Sequence, residues 1–200
     1  MEPRWIFDRS GDHLAVDFAN TVSDRPTSPI ERLASYADLV EFARQTAIIS
    51  DARAQELVDV CRARPSDAAR ALLIAHTLRD ALYDLYFAVA EGQPPPAPAL
   101  ASFNALVPHL RLGPDLAWTW AGDAGGLDEM LGPIMRGALD LLTTDERQRL
   151  SRCRADTCQF IFLDGSKNKS RQWCSMSGCG NREKARRFHG RHRAGGTKRH

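Results

Sequence analysis

Residues 153–179, CRADTCQFIFLDGSKNKSRQWCSMSGC, hold four of the chain's five cysteines in the spacing C-x4-C-x15-C-x4-C. Each short loop can fold its two sulfurs onto one ion, and such paired cysteines predict a structural zinc site. We therefore expect one structural Zn²⁺ ion, bound by Cys153, Cys158, Cys174 and Cys179. Four thiolates close the coordination sphere and leave no position for a catalytic water. An iron–sulfur cluster is the main alternative, and two disulfides are a remote one.

The segment around these cysteines is too short to fold on apolar burial alone, and a zinc site contributes on the order of 10 kcal/mol to such a module. Alternating apolar residues at 160–163 predict a strand, the polar stretch after Asp164 predicts a turn, and residues 171–173 are expected to form the returning strand. A helix should begin at Gly180 and Asn181, where its dipole would help to neutralise the tetrathiolate. This order predicts a treble-clef-like finger.

Charge is distributed unevenly along the chain. Residues 151–200 carry 13 basic and 3 acidic side chains, a formal charge of +10, whereas residues 1–150 carry 14 basic and 22 acidic ones, or −8. A basic end of this kind favours binding to a polyanion, and a solvated flexible tail is the alternative. The residues that we expect to contact nucleic acid are Lys167, Lys169, Arg171, Arg182, Lys184, Arg186, Arg187, Arg191 and Arg193.

The first part of the chain has the pattern of a mostly helical domain. Apolar residues recur at steps of three and four in 32–48, 51–63, 65–92 and 125–142, which predicts helices. Residues 110–120 alternate around a Gly-Pro pair and predict a β-hairpin. The proline-rich residues 93–100 are expected to be an extended loop, and Thr143 with Glu146 is spaced as a capping box.

The expected fold class is therefore α+β, with a helix-dominated N-terminal domain that includes a small β-hairpin, followed by the treble-clef-like zinc finger. We place the two domains at residues 1–146 and 147–200.

The stretch GDHLAVDFANTVSDR, residues 11–25, is a candidate ligand site. If it is helical, Asp17, Asn20, Thr21 and Asp24 fall on one polar face. Two interpretations stay open at this point: the face is solvated, or Asp17, Asn20 and Thr21 hydrogen-bond a small molecule or brace Arg25. The candidate ligand-binding residues are accordingly Asp17, Asn20, Thr21 and Arg25.

Other features narrow the class of protein. The chain lacks a signal-peptide pattern and an apolar run of about 18 residues, so we expect a cytoplasmic protein with reduced thiols. It also lacks a nucleophile elbow, a phosphate-binding glycine loop and an HExxH motif, and together with the closed metal site this predicts no enzyme. The isolated Cys61 and His76 are expected to be structural residues.

Two stretches resemble known families. Residues 152–193 are similar to the CGNR zinc finger, whose name-giving tetrapeptide is Cys179-Gly180-Asn181-Arg182 here, and residues 11–26 resemble the opening of the ABATE domain. The resemblance implies a bacterial stress-induced transcription regulator with a helical ligand-sensing region and a DNA-binding finger. The implied partners are nucleic acid, as duplex DNA, and an unidentified small-molecule effector.

No membrane partner is expected, and the question of a homodimer stays open. The alternative function is a zinc-stapled module that docks RNA or protein without sequence-specific DNA binding.

Overall fold

The structure is a computed structural model that describes residues 5–122 and 124–186. Helices dominate, and the strands pair two by two in antiparallel fashion. In chain order the elements are α1 (Leu14–Ala19), β1 (Val22–Ser23), β2 (Ile30–Glu31), α2 (Tyr36–Gln45), α3 (Asp51–Ala63), α4 (Pro65–Ala90), α5 (Ala97–Leu106), β3 (Leu110–Leu112), β4 (Trp118–Trp120), α6 (Leu131–Thr143), β5 (Leu150–Arg152), β6 (Ile161–Leu163) and α7 (residues 181–186). The α+β class expected from the sequence is confirmed.

Serine side chains cap the N-termini of two helices, and prolines begin a third. Ser35 caps α2 in a capping box with Asp38, and the Ser50 hydroxyl accepts from a backbone N–H in the first turn of α3. Helix α5 begins directly after Pro96, so the expectation of an extended loop over residues 93–100 is wrong from Ala97 onward. Proline is tolerated in a first helical turn because the N–H that it lacks has no partner there.

Two further expectations from the C-terminal half of the helical region are corrected. Helix α6 begins at Leu131 rather than near residue 125. Thr143 is the last residue of this helix, where its hydroxyl donates to the Leu139 carbonyl at 2.6 Å. It is therefore not the cap of a new helix, and the 3-10 turn Asp145–Arg149 that follows begins without a side-chain cap.

The expected β-hairpin is present. Strands β3 and β4 pair in the register Leu110 with Trp120 and Leu112 with Trp118, and the pair packs against α6. The Trp120 indole donates to Asp128 at 3.0 Å and ties the hairpin to the loop before α6. The outer side of the hairpin remains exposed at Leu112 and Trp118.

The short helix α1 lies at the centre of the main core, where it contacts α4, α6 and β6. Its residues Ala15, Val16, Phe18 and Ala19 are fully buried. The 26-residue helix α4 forms the spine of the core, since it packs against α1, α2, α5 and β5. Among the residues that the structure describes, no helix combines the length and apolar character needed to cross a bilayer.

The finger segment, residues 150–186, enters through the strand pair β5–β6. The strand expected near residues 160–163 is confirmed, but its partner is β5 and not residues 171–173. The Asp164 carboxylate accepts from the backbone N–H groups of Ser166 and Arg171, which turns the chain away before it can pair along β6. The returning segment instead accepts a hydrogen bond from Arg154 N at the Gln172 carbonyl, 3.0 Å away.

Strand β6 contributes side chains to two hydrophobic cores. Because side chains alternate along a strand, Ile161 points into the main core while Phe162 packs among the cysteines. Leu150 of β5 also joins the main core. The finger segment is therefore packed directly onto the helices.

Candidate metal centre and adjoining cleft

The four cysteines predicted as ligands converge. Their sulfur atoms lie within 4.8 Å of one another, and Cys174 Sγ lies 3.7 Å from both Cys158 Sγ and Cys179 Sγ. A tetrahedron with Zn–S bonds of about 2.3 Å has edges of about 3.8 Å, whereas a disulfide requires about 2.05 Å. The arrangement thus fits one structural zinc ion held by four thiolates. None of the five cysteines forms a disulfide.

Two tight turns present these sulfurs. The first turn links β5 to β6, with Cys153 N donating to the Phe160 carbonyl at 2.8 Å and Cys158 N to the Ala155 carbonyl at 3.1 Å. The second is the wide helical turn Met176–Gly180, which the Ser175 hydroxyl caps by accepting from Gly178 N at 3.1 Å. Helix α7 follows immediately, so the expected helix after the last cysteine is confirmed.

The electrostatics of the cluster call for a cation. Hydrogen bonds from Cys158 and Cys174 lower the pKa of Cys153, and backbone N–H donors add to this effect. The pKa values of Cys158 and Cys174 are instead raised, first by their hydrogen bonds with Cys153 and then by burial and like charge. Neighbouring thiols cannot all lose their protons without a counter-charge, because the resulting thiolates repel one another. A divalent ion supplies that positive charge.

Arg182 is the side chain beyond the ligands that supports the thiolates most directly. Its Nη2 donates to Cys179 Sγ at 3.0 Å, and this hydrogen bond raises the pKa of the guanidinium. Positive charge at this distance offsets part of the double negative charge of a zinc tetrathiolate. Arg182 was expected to contact nucleic acid, and its side chain remains exposed to solvent while it makes this bond.

The other cations of the predicted nucleic-acid set are placed differently from one another. Lys167 and Lys169 are exposed on the turn after β6, and Lys184 is exposed on α7. Arg186 is exposed but forms ion pairs with Asp156 and Glu183 on the finger itself. Three members of the set, Arg187, Arg191 and Arg193, lie outside the described residues.

Arg171 is bound to the helical part of the molecule. Its guanidinium contacts Asp12 Oδ2 at 2.5 Å and the Ser10 carbonyl at 3.2 Å, and it lies 4.5 Å above the Phe162 ring. It also donates to the Cys174 carbonyl. Its contacts therefore run between the N-terminal loop and the metal centre.

Comparison with protein families agrees with this architecture. The family described as "Putative stress-induced transcription regulator", ABATE, matches residues 12–145. The chain belongs to the ABATE family. The CGNR zinc finger matches residues 149–192, directly after it. These are regulator and zinc-finger domains rather than enzyme families. A search of curated proteins found no significant match.

In the ABATE segment (residues 12–145), the polar residues of the opening motif are buried. Asp17, Asn20 and Thr21 are only 6%, 4% and 3% exposed, so the interpretation of a solvated helix face is wrong. Helix α1 ends at Ala19, and the chain turns at Asn20 and Thr21 into β1 instead of continuing as a helix to Asp24.

Asn20 joins the ABATE segment to the CGNR finger. Its Nδ2 donates to the Ile161 carbonyl at 2.8 Å, and its Oδ1 accepts from Ile161 N at 3.0 Å. The side chain of Asn20 thus satisfies both backbone polar groups of Ile161. Sequence offered no signal for this role, because the partners are 141 positions apart.

Arg25 is held by residues other than those expected. Its Nη2 donates to the Ala19 carbonyl at 3.2 Å, and its guanidinium lies 3.7 Å above the Tyr83 ring. Thr21 donates its hydroxyl proton to the Phe18 carbonyl at 2.8 Å. Within the described residues, none of the hydrogen bonds of Arg25 involves Asp17, Asn20 or Thr21, so these three residues do not brace it.

Asp17 is the most unusual acid of the motif. Burial raises its pKa to about 7, with a further contribution from Asp8 and Asp12 against the opposing hydrogen bond from Gly11 and the charge of Arg9. The Gly11 N–H donates to Asp17 Oδ1 at 2.9 Å. A Cβ at position 11 would lie 2.7 Å from that oxygen, so this close approach requires glycine.

A cleft of about 480 Å³ opens between the end of α1 and the metal centre. Asp17, Asn20 and Thr21 line its ABATE side. Its opposite wall belongs to the CGNR finger and includes Cys158, Cys174, Cys179 and Arg182. Three of the four predicted ligand residues of the ABATE segment and three of the four metal ligands thus border the same space.

His76 and Cys61 are structural, as expected. His76 Nε2 lies 2.8 Å from the Leu33 carbonyl, and Cys61 packs at the edge of the main core with its thiol donating to the Val58 carbonyl.

Proposed function

We propose that this chain is a zinc-containing transcription regulator that binds duplex DNA through its CGNR finger and senses a small molecule through its ABATE segment. In this proposal the metal is structural, and the two parts divide near residues 146 and 147. The regulator description of the ABATE family supports it. A site of four reduced thiolates also suits the cytoplasm, which we keep as the proposed location.

The observation that carries the DNA-binding part is the group of exposed lysines beside the metal centre. Lys167 and Lys169 project from the turn after β6, and Lys184 lies on α7, which begins two residues after the last zinc ligand. Zinc fixes the segments that carry these charges, so their spacing on the surface is defined. Exposed cations on a rigid frame bind phosphates with little ordering cost and release counterions.

The nucleic-acid set can be divided by partner. Lys167, Lys169 and Lys184 have ammonium groups available to phosphates, and we assign them the DNA contacts within residues 5–186. Arg187, Arg191 and Arg193 extend the proposed surface along the sequence. In contrast, we assign Arg171 a bracing role, since its guanidinium already contacts Asp12 and Phe162.

Anisotropy titrations with labelled duplex DNA test this proposal across 50 to 200 mM salt. For the zinc-loaded chain we expect the logarithm of the affinity to fall linearly with the logarithm of the salt concentration. The triple variant Lys167→Gln, Lys169→Gln, Lys184→Gln should weaken binding and reduce the slope by about 1 for each phosphate that is no longer neutralised. A matched surface control is Arg62→Gln on α3, which should behave as the unmodified chain.

The same titration with structured and single-stranded RNA addresses the docking alternative. Tighter binding to RNA than to duplex DNA at equal salt would replace DNA with RNA as the partner. A salt-independent affinity, or a triple variant indistinguishable from Arg62→Gln, would reject phosphate binding by this surface.

A further inference from the structure

We propose that the cleft between α1 and the metal centre binds a small organic cation, a protonated amine, and that this amine is the effector. The inference rests on the proposed function and deepens it by naming the site and the chemical class of the ligand. The cleft volume of about 480 Å³ lies within the range typical of small-molecule sites.

The first observation is an unsatisfied acceptor. Asp17 is 6% exposed and lines the cleft, with Oδ1 accepting from Gly11 N. Within residues 5–122 and 124–186 its second oxygen, Oδ2, has no hydrogen-bond partner. Oδ2 is not among the fully enclosed unpartnered atoms of the described residues, so solvent reaches it, and an N–H group of a ligand in the cleft would take the place of that solvent.

The second observation is the charge balance of the walls. Asp8 and Asp24 also line the cleft, and a zinc tetrathiolate behind Cys174 and Cys179 adds a double negative charge. Burial, with a further contribution from Asp8 and Asp12, raises the pKa of Asp17 to about 7, and a cation bound beside this acid would favour its ionised form. Negative charge therefore predominates among the ionisable groups of the walls, and a cationic donor is the complementary ligand.

The two arginines on the walls do not reverse this balance. Arg32 Nε donates to Ser23 Oγ at 3.2 Å, and its guanidinium lies 4.2 Å above the Trp5 ring. Arg182 donates to Cys179 Sγ. The positive charges of Arg32 and Arg182 are opposed by the carboxyl groups of Asp8, Asp17 and Asp24 and by the double negative charge of a zinc tetrathiolate. The cleft therefore stays acidic.

Because the cleft lies between the ABATE segment and the finger, a bound ligand would contact both. An amine bonded to Asp17 and Asp24 on the ABATE side would also cover Cys158, Cys174 and Cys179 on the finger side. Bound ligand would therefore stabilise the finger against the helices and hinder access of a chelator to zinc. Both effects can be measured without knowing the natural effector.

The test uses the zinc-loaded full chain and matched small probes. Calorimetric titration compares three amines, butylamine, 1,4-diaminobutane and benzylamine, with the neutral 1,4-butanediol and the anion succinate. We expect at least one amine to bind saturably and at least ten-fold more tightly than the diol or succinate. The same amine should slow zinc transfer to a coloured chelator at least three-fold.

Variants assign the site. Asp17→Asn retains an oxygen to accept from Gly11 and should weaken amine binding at least ten-fold. Asp24→Asn is a second variant, because asparagine readily adopts the left-handed backbone found at Asp24, with φ 51°. It should weaken binding several-fold. The surface variant Asp59→Asn on α3 is the charge-matched control and should bind as the unmodified chain does.

Three outcomes would overturn the proposal: no saturable binding by any of the three amines, tighter binding of succinate, or equal amine affinity in Asp17→Asn, Asp24→Asn and Asp59→Asn. DNA affinity is measured separately without amine. Loss of DNA binding with intact amine binding would reject the regulator assignment, whereas the reverse pattern would reject only the amine site.

Discussion

The main helical core and the small core of the CGNR finger are stabilised in different ways. In the main core, apolar side chains from α1, α2, α4 and α6 bury one another, and this burial is the driving force. In the finger core, four of the seven buried residues are the cysteines themselves, with Ala155, Phe160 and Phe162 beside them. The finger therefore depends on metal coordination where the helices depend on apolar area.

The comparison also shows how a metal-dependent element can be joined to a metal-independent one. Strand β6 contributes Ile161 to one core and Phe162 to the other, and Asn20 binds both backbone polar groups of Ile161. Disruption of either core should therefore destabilise strand β6, but to different degrees.

The largest expected effect comes from removal of one zinc ligand. Cys174→Ser should lose zinc and unfold residues 153–186, because a structural zinc site contributes on the order of 10 kcal/mol. The helices should keep their circular dichroism, since the apolar side chains of the ABATE core remain packed together. Metal analysis and hydrogen exchange measure the two responses.

Cys61→Ser is the control for that variant, since Cys61 lies at the edge of the main core and outside the metal cluster. It should bind one zinc ion per chain. Stoichiometric zinc in Cys174→Ser would mean that the ligand assignment is wrong.

A smaller effect should separate the two faces of β6. Ile161→Ala should lower the free energy of unfolding of the helical core by about 2–5 kcal/mol while zinc release stays slow, because the Ile161 side chain packs in the main core. Phe162→Ala removes a ring from the finger core and should speed zinc release to a chelator. If both variants release zinc at the same rate, the two cores are not distinct.

The smallest effect concerns pH, to which the two regions should respond in opposite directions. The folded pKa of Asp17, about 7, lies above the value near 4 of an unfolded aspartate. The protonated acid's stabilisation is complete below pH 4 and is lost as the pH rises through 7. Zinc binding instead strengthens as the pH rises, because the thiols must lose protons.

Denaturant unfolding of zinc-loaded protein at pH 6 and pH 8 measures the Asp17 contribution. Relative to Asp17→Asn, the unmodified chain should lose about 1 kcal/mol of stability between these values. The comparison with Asp17→Asn cancels the titration of other groups, including the zinc ligands. Asp17 is not the responsible group if the unmodified chain and Asp17→Asn change equally in stability between pH 6 and pH 8. The same conclusion follows if Asp59→Asn differs from the unmodified chain as much as Asp17→Asn does.

Local patterns were sufficient to predict much of this molecule. The four-cysteine spacing led to the correct cluster because both pairs are set by short turns within the finger. Helices α2, α3 and α4 and the β3–β4 hairpin followed from periodicity. The prediction failed where two nearby segments could pair with the same strand. Residues 171–173 were expected to pair with β6, but β5, which precedes the first metal-binding turn, pairs with it instead.

Long-range burial could not be predicted in the same way. The motif containing Asp17 and Asn20 shows helical spacing whether its polar face meets water or protein. Arg171 is one cation among many in the sequence, and only its contact with Asp12 distinguishes a brace from a phosphate ligand.

The sequence by itself determined the metal ligands, the helical character of the first part and the excess of positive charge at the end, because each depends on residues close together in the chain. Only the tertiary structure decided that the finger is packed on the helices, that Asn20 binds β6, and that Asp17 faces a cleft beside the thiolates. Those features depend on contacts across more than a hundred residues, where the energy of burial rather than local spacing selects the partner.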